Sequence, residues 1–211
     1  MQIIWRILGQ KPNLDALDPL PLTPGVGAGP GPGDRRDSYE RVMATEAPGP
    51  PQPDGPFEAL ARAILGYEIF PQSLVSGVLH RNPVQVGDTY GICYHVLPGI
   101  DLFFAGRVVG VFREQADGVW RAGFTFRTVI GHPELGEETF WVEKDLATGV
   151  VRAGLRSWSR PGLWLTWLGR PLARRIQVRA CHAALDNLQR MATKEFTAEN
   201  LARLSPQPKE K

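Results

Sequence analysis

The sequence predicts an α+β fold: a curved antiparallel sheet of about seven strands around one long C-terminal helix. Three observations predict it. Between residues 75 and 159, short runs of alternating apolar residues succeed one another at the spacing of an antiparallel meander. Residues 171–191 carry the one long amphipathic helical pattern. A curved sheet must also cover its concave face, and that helix is the only long element able to do so.

The chain has 211 residues, with Lys plus Arg at 24 against 22 Asp plus Glu, a formal net charge of +2. That balance argues against a protein that coats nucleic acid by charge, and no nucleic-acid partner is expected. No apolar run approaches the ~18 residues of a membrane span. Residues 1–8 (MQIIWRIL) are apolar but lack a basic leader and a small-residue cleavage site, so a cytoplasmic protein is expected. Cys93 and Cys181 are too far apart in the chain to suggest a disulfide framework or a metal knuckle.

Residues 1–8 read as a peripheral strand or loose arm. Pro12 to Pro56 holds 11 of the 19 prolines, and VGAGPGPG at residues 26–33 reads as flexible linker. Residues 38–45 alternate like a strand. Residues 57–65 make a helix, opened by Pro56, closed by Gly66, with Phe57, Leu60, Ala61, Ile64 and Leu65 on one stripe. Strands follow at 75–80, 89–97, 102–113, 119–130, 137–144 and 150–159. In them Tyr90, Ile92, Tyr94 and Val96 share a face, as do Trp120, Ala122, Phe124, Phe126, Thr128 and Ile130, and Val151, Ala153, Leu155 and Ser157. Residues 163–168, with Trp164 and Trp167, form a short apolar turn. The final helix turns Leu172, Ile176, Ala180, Ala183, Ala184, Leu188 and Met191 inward. Three regions result: an arm and Pro/Gly-rich linker at 1–36, a folded domain at 37–192 and a tail at 193–211.

One stretch is specific enough to carry a resemblance. GFTFRTVIGHPELGEETF, residues 123–140, is similar to the signature of a bacterial and plant family catalogued as domain of unknown function nineteen-ninety. Gly123, Phe124, Thr128, Gly131, His132, Gly136, Glu137, Glu138 and Phe140 match its pattern. Arg107-Val108-Val109, Ser159-Arg160-Pro161, Gly169-Arg170-Pro171-Leu172 and Gln177 agree with further blocks. Phe126 stands where the family has Tyr, and Arg127 where it has Gly. The resemblance implies a helix-grip fold related to START proteins and pollen allergens, which commonly hold apolar ligands between sheet and helix. It implies no established reaction.

Two residues are candidates for acid/base chemistry. His132 lies in Gly-His-Pro, a sequence equally suited to a hairpin loop. Glu138 shares the inward parity of Phe140 and Val142, so its carboxyl needs a partner or a proton; Arg107 and Arg160 are the expected partners. No metal site and no cofactor are expected, since the other histidines show no ligand spacing towards His132. The expected ligand-binding set is Tyr94, Phe104, Arg107, Phe126, Glu138, Ser157, Arg160 and Gln177. Arg170, Arg174 and Arg175 offer a weak contact for an anionic surface, or simply a solvated helix face. Three functions fit these features. The chain binds a small apolar or amphipathic molecule, or acts on one through Glu138 or His132, or has a cavity filled by its own side chains and works through a protein partner.

Overall fold

The computed structural model describes residues 2–5, 12–161 and 170–193. Its elements run β1 (Gln2–Trp5), β2 (Arg35–Thr45), α1 (Pro56–Leu65), β3 (Val75–Leu79), β4 (Thr89–Leu97), β5 (Ile100–Ala116), β6 (Val119–Thr128), β7 (Glu134–Asp145), β8 (Val150–Pro161) and α2 (Arg170–Ala192). The turn expected around Trp164 and Trp167 and the tail beyond Thr193 lie outside the described residues.

All strand pairs are antiparallel, in the order β2-β8-β7-β6-β5-β4-β3. The chain therefore lays down β2 at one edge, crosses by way of α1 to the other, and returns through the meander β3 to β8 until β8 pairs with β2. The first strand, β1, pairs with residues 100–103 of β5, where β6 has already ended. At 17 residues, β5 is long enough to serve β4 and β1 with its first part and β6 with its second, and its register shifts between Val108 and Gly110.

Both helices cover the concave face. On α1, Phe57, Leu60, Ala61, Ala63 and Ile64 are buried, close to the predicted stripe. On α2 the inward residues are Ala180, Cys181, Ala184, Leu185, Leu188 and Ala192. Cys181 and Leu185 were not in the predicted stripe, while Ile176, Ala183 and Met191 are only half-buried. The helix is held by polar ties as well: Asn187 donates to the carbonyls of Glu68 (3.0 Å) and Ile69 (3.1 Å), Gln189 donates to the Met43 carbonyl, and Arg41 pairs with Asp186 at 2.8 Å. The inner core joins these helices to Tyr90, Phe124, Phe126, Phe140 and Leu155 from the sheet.

The Pro/Gly-rich stretch, expected to be a free linker, is seated on the convex face instead. Arg107 donates to the carbonyls of Asp18 (2.6 Å) and Leu20 (3.0 Å), and Thr23 N–H to the Thr128 carbonyl (2.9 Å). Leu14 and Leu17 are buried with Phe103, Ala105 and Val129 in a second, outer cluster. Val26, inside the glycine run, is fully buried. Prolines and glycines shape this path without loosening it, because apolar residues between them have a surface to bind.

Glycines open two close approaches in the sheet. A Cβ at Gly91 would lie 2.3 Å from the Phe103 ring on the outer face. One at Gly106 would meet Phe126 at 2.6 Å and Tyr90 at 3.1 Å on the inner face. Each ring occupies the space a side chain would need.

One ion pair is wholly removed from water. Lys144 Nζ donates to Glu46 Oε2 at 2.7 Å and to the Pro50 carbonyl at 3.0 Å. Glu46 Oε1 accepts the Phe57 N–H at 2.7 Å, so the same carboxylate caps the N-terminus of α1. Removing either partner leaves a buried charge, so Lys144→Met or Glu46→Gln alone is expected to cost roughly 3–5 kcal/mol in denaturant unfolding. The double variant should lose less than the two single losses added. On the outer face, Leu17→Ala should cost about 2–5 kcal/mol if the arm packs as described; an unchanged unfolding midpoint would count against that packing.

Candidate functional site

Glu138 stands on the concave face, directly across from Phe126 on β6 and Ser157 on β8. This row brings together three residues of the predicted ligand set. Phe126 is buried, stacked on Phe140 with ring centroids 6.0 Å apart and edge-on to Tyr90 at 5.1 Å. Tyr90 lies 4.7 Å from Tyr67, which follows α1 at a positive φ of 56°. Opposite the sheet, α2 contributes Cys181.

The expected pairing of Glu138 with Arg107 or Arg160 is not formed. Alternation places both arginines on the convex face: Arg107 lies across from Arg127, and Arg160 from Leu135. There Arg107 holds the arm and donates to Thr89 Oγ1 at 2.8 Å, while Arg160 sits 3.5 Å from Asp34. Among the described residues no hydrogen bond or ion pair reaches the Glu138 carboxyl. Burial pushes it up to about 8, with the charges of Glu134 and Asp37 adding to the effect. The carboxyl is therefore mostly protonated at neutral pH and can donate a hydrogen bond.

Its surroundings are protonated too. Burial raises Tyr67 and Tyr90 well above the ordinary phenol range, and Glu138 adds to both shifts. The Tyr90 hydroxyl is buried beside that of Tyr67, and the interaction between the two hydroxyls helps to keep the Tyr90 proton in place. Burial pushes the Cys181 thiol up to about 12, again reinforced by Glu138, so it is no nucleophile at neutral pH.

A charged network closes the end of this row. Arg35 donates to Asp37 (3.0 Å), Glu134 (3.2 Å), Ser159 (2.9 Å) and Gln177 (2.5 Å). Arg174 grips both oxygens of Asp37 at 2.7 Å and reaches Tyr39 at 3.3 Å. Asp37 thereby raises the Arg174 pKa further. Gln177 thus belongs to the network through Arg35. Arg174 is committed to Asp37, Arg175 is exposed, and the Arg170 side chain lies outside the described residues.

The remaining candidates are placed apart from Glu138. His132 donates from Nδ1 to its neighbour's carbonyl, Glu134 O, at 2.7 Å, and its ring meets Phe104 edge-on at 4.6 Å. Burial lowers the imidazole to about 4, so it is neutral, and its buried Nε2 has no partner among the described residues. Tyr94 is half-buried on the inner face of β4, and burial raises its pKa.

Comparison with known proteins agrees with this architecture. The family described as Domain of unknown function (DUF1990) matches residues 24–187. The chain belongs to that family. A UPF0548 protein of Dictyostelium discoideum is 32% identical over 127 residues, which cover 57% of this chain and 59% of that protein. The match thus spans less than two thirds of the relative's length. Among solved structures, hypothetical protein jhp0584 from Helicobacter pylori is similar at a TM-score of 0.50 and 15% identity, covering 76% of this chain and 90% of the other. Ginseng major latex-like protein 151 from Panax ginseng is similar at 0.43 and 12%, covering 74% and 95%. With its meander and closing helix, this DUF1990 chain has the helix-grip, START-like fold expected from its signature. Among the described residues no helix is long and apolar enough to cross a membrane.

The protonation of Glu138 makes a stability prediction. A carboxyl at about 8 in the folded state and ~4.3 when unfolded binds more protons folded than unfolded between those values. Stability from this group is therefore complete below about pH 4 and is lost as pH rises towards 8. Glu138→Gln removes that dependence and should raise stability at pH 7 by about 1–3 kcal/mol. Parallel stability–pH curves for the two proteins would contradict the assignment.

Proposed function

We propose that the protein binds a small apolar or amphipathic molecule between the concave face and α2, with Glu138 taking its polar end. The observation that carries this reading is the unpartnered Glu138 carboxyl, flanked by Phe126 and Ser157 and facing the inner core. Glu138 is half-buried and its carboxyl pairs with no other side chain among the described residues, which leaves it available to a ligand atom. Because Glu138 is mostly protonated at neutral pH, the favoured head group is a hydrogen-bond acceptor such as a carbonyl. Phe126, Phe104 and Tyr94 are the apolar wall of this proposal, and Ser157 and Gln177 its polar end. Arg107 and Arg160, which face the other way, are left out.

An enzymatic reading of the same place rests on the position of the Glu138 titration. A carboxyl near 8 is poised to exchange a proton with a bound molecule close to neutral pH. His132, held neutral and bonded to its own loop, is the weaker candidate.

Native mass spectrometry of protein purified from its own cells, followed by titration with lipids and aromatic metabolites, tests both. A co-purifying apolar species whose affinity falls about tenfold or more in a folded Phe126→Ala variant supports binding; that corresponds to ~1.4 kcal/mol. Conversion of the species that stops in Glu138→Gln supports catalysis. Protein that arrives empty and binds nothing in the panel overturns both readings.

A further inference from the structure

A second polar cluster lies on the opposite face, next to β3, the edge strand of the described sheet. Ser76 on β3, Cys93 and His95 on β4 and Asp101 on β5 share the convex parity, opposite to Ile92 and Tyr94. Asp101 is directly across from His95, with Oδ1 2.8 Å from His95 Nδ1. The other ring nitrogen, Nε2, is 3.2 Å from Ser76 Oγ. Asp101 is only 4% exposed. As an acceptor it fixes the tautomer with hydrogen on Nδ1, which turns the Nε2 lone pair to the serine hydroxyl. We propose that Ser76, His95 and Asp101 form an acyl-transfer site for small esters, with Ser76 as nucleophile, His95 as base and Asp101 as the residue positioning His95.

The contacts run in the order such chemistry requires: hydroxyl, imidazole, carboxylate. The ladder also supplies a donor for the oxyanion. His95 N–H donates to the Leu74 carbonyl at 2.9 Å, so hydrogen-bonded pairs fall at 74/95 and 76/93. The intervening residues turn their N–H groups away from β4, and Val75 N–H accordingly meets the Pro71 carbonyl at 3.0 Å. Gly77 N–H points the same way, at an edge where β3 pairs with β4 alone among the described residues. It follows the nucleophile directly, as an oxyanion donor often does. Gly77 is exposed and Ser76 half-buried, an open setting suited to a short acyl group.

In the first step, Ser76 Oγ attacks the ester carbonyl carbon while His95 Nε2 takes the hydroxyl proton. The carbon–alkoxy bond breaks, and the alkoxide leaves with that proton as an alcohol. Water, deprotonated by the same nitrogen, then attacks the acyl-serine. The acid departs, and the proton returns to Ser76 Oγ.

The full chain should be incubated with an alkyl fluorophosphonate and followed by intact-mass spectrometry and peptide mapping. One adduct per chain is expected, on Ser76 and not on the exposed neighbour Ser73. It should vanish in Ser76→Ala, which loses only a hydroxyl and should keep its melting temperature. His95→Gln, checked for folding by circular dichroism, should slow labelling about 100-fold or more. A burst of p-nitrophenol from p-nitrophenyl acetate should share the Ser76 dependence. No adduct, an adduct on Ser73 at the same rate, a burst that follows Cys93 in a Cys93→Ser variant, or labelling indifferent to His95→Gln would each overturn the proposal.

Discussion

The buried pair between Lys144 and Glu46 ties three parts of the chain that nothing local would join. Glu46 follows the last residue of β2, Lys144 is near the end of β7, and the carboxylate caps α1. An ammonium and a carboxylate out of water tolerate few arrangements, because each needs its remaining hydrogen bonds met. Pro50 and the N–H of Phe57 meet them. The edge strand, the middle of the sheet and the first helix are thereby placed in one frame. The apolar stripe of α1 can then only settle onto Phe124, Phe140 and Tyr67. Apolar packing supplies most of the stability of such a core, but it is forgiving of rotation and shift. The ion pair is the less forgiving contact, because a shifted packing would leave one of its charges unpaired.

The sheet divides its chemistry by face. Inside, Glu138 and the tyrosines form a row that is mostly protonated at neutral pH, within an aromatic core. Outside, arginines carry structural work: Arg107 holds the arm, and Arg127 pairs with Glu137 at 2.8 Å. At the sheet end nearest β2 the two regimes meet in the Arg35, Asp37 and Arg174 network. Those two arginines are engaged by acids and a glutamine, while burial and the charges of Glu134 and Asp37 keep the proton on Glu138.

Much of this was legible in the sequence, for identifiable reasons. Strands β4 and β6 alternate strongly and are bounded by glycine or aspartate turns, so the limits of β4 and most of both inward faces followed from a period of two, although β6 stops at Thr128 and Val96 and Ile130 are exposed. Helix α1 has its Pro at the start and Gly after the end. The parity of Glu138 was readable for the same reason. Its partner was not, because parity along one strand says nothing about which side of a neighbouring strand an arginine occupies when both sides are apolar. Arg107 on β5 is that case. Tyr67 carried no periodic signal, being a single residue beyond a helix. The seating of Val26 was hidden by composition: glycine and proline describe an isolated chain, and the surface that captures this one lies about a hundred residues further on, at Thr128 and Val129. Ser76, His95 and Asp101 are scattered over three strands and meet only through register.

The ring-filled gaps at Gly91 and Gly106 bear on how this sheet avoids slipping. A strand with one oily and one wet side is kept in place by that contrast, since a shift of one residue would expose the oily set. In β5 the contrast is missing: Phe103 lies under the arm and Phe104 in the inner cluster. Shape takes over the task. Phe103 drops into the notch over Gly91, and Phe126 and Tyr90 crowd the notch at Gly106, so a displaced strand would drive aromatic rings against side chains. The alignment is written as steric relief, in residues with nothing to contribute but their small size, and a conservative change to alanine at either notch reaches further than its one added carbon suggests.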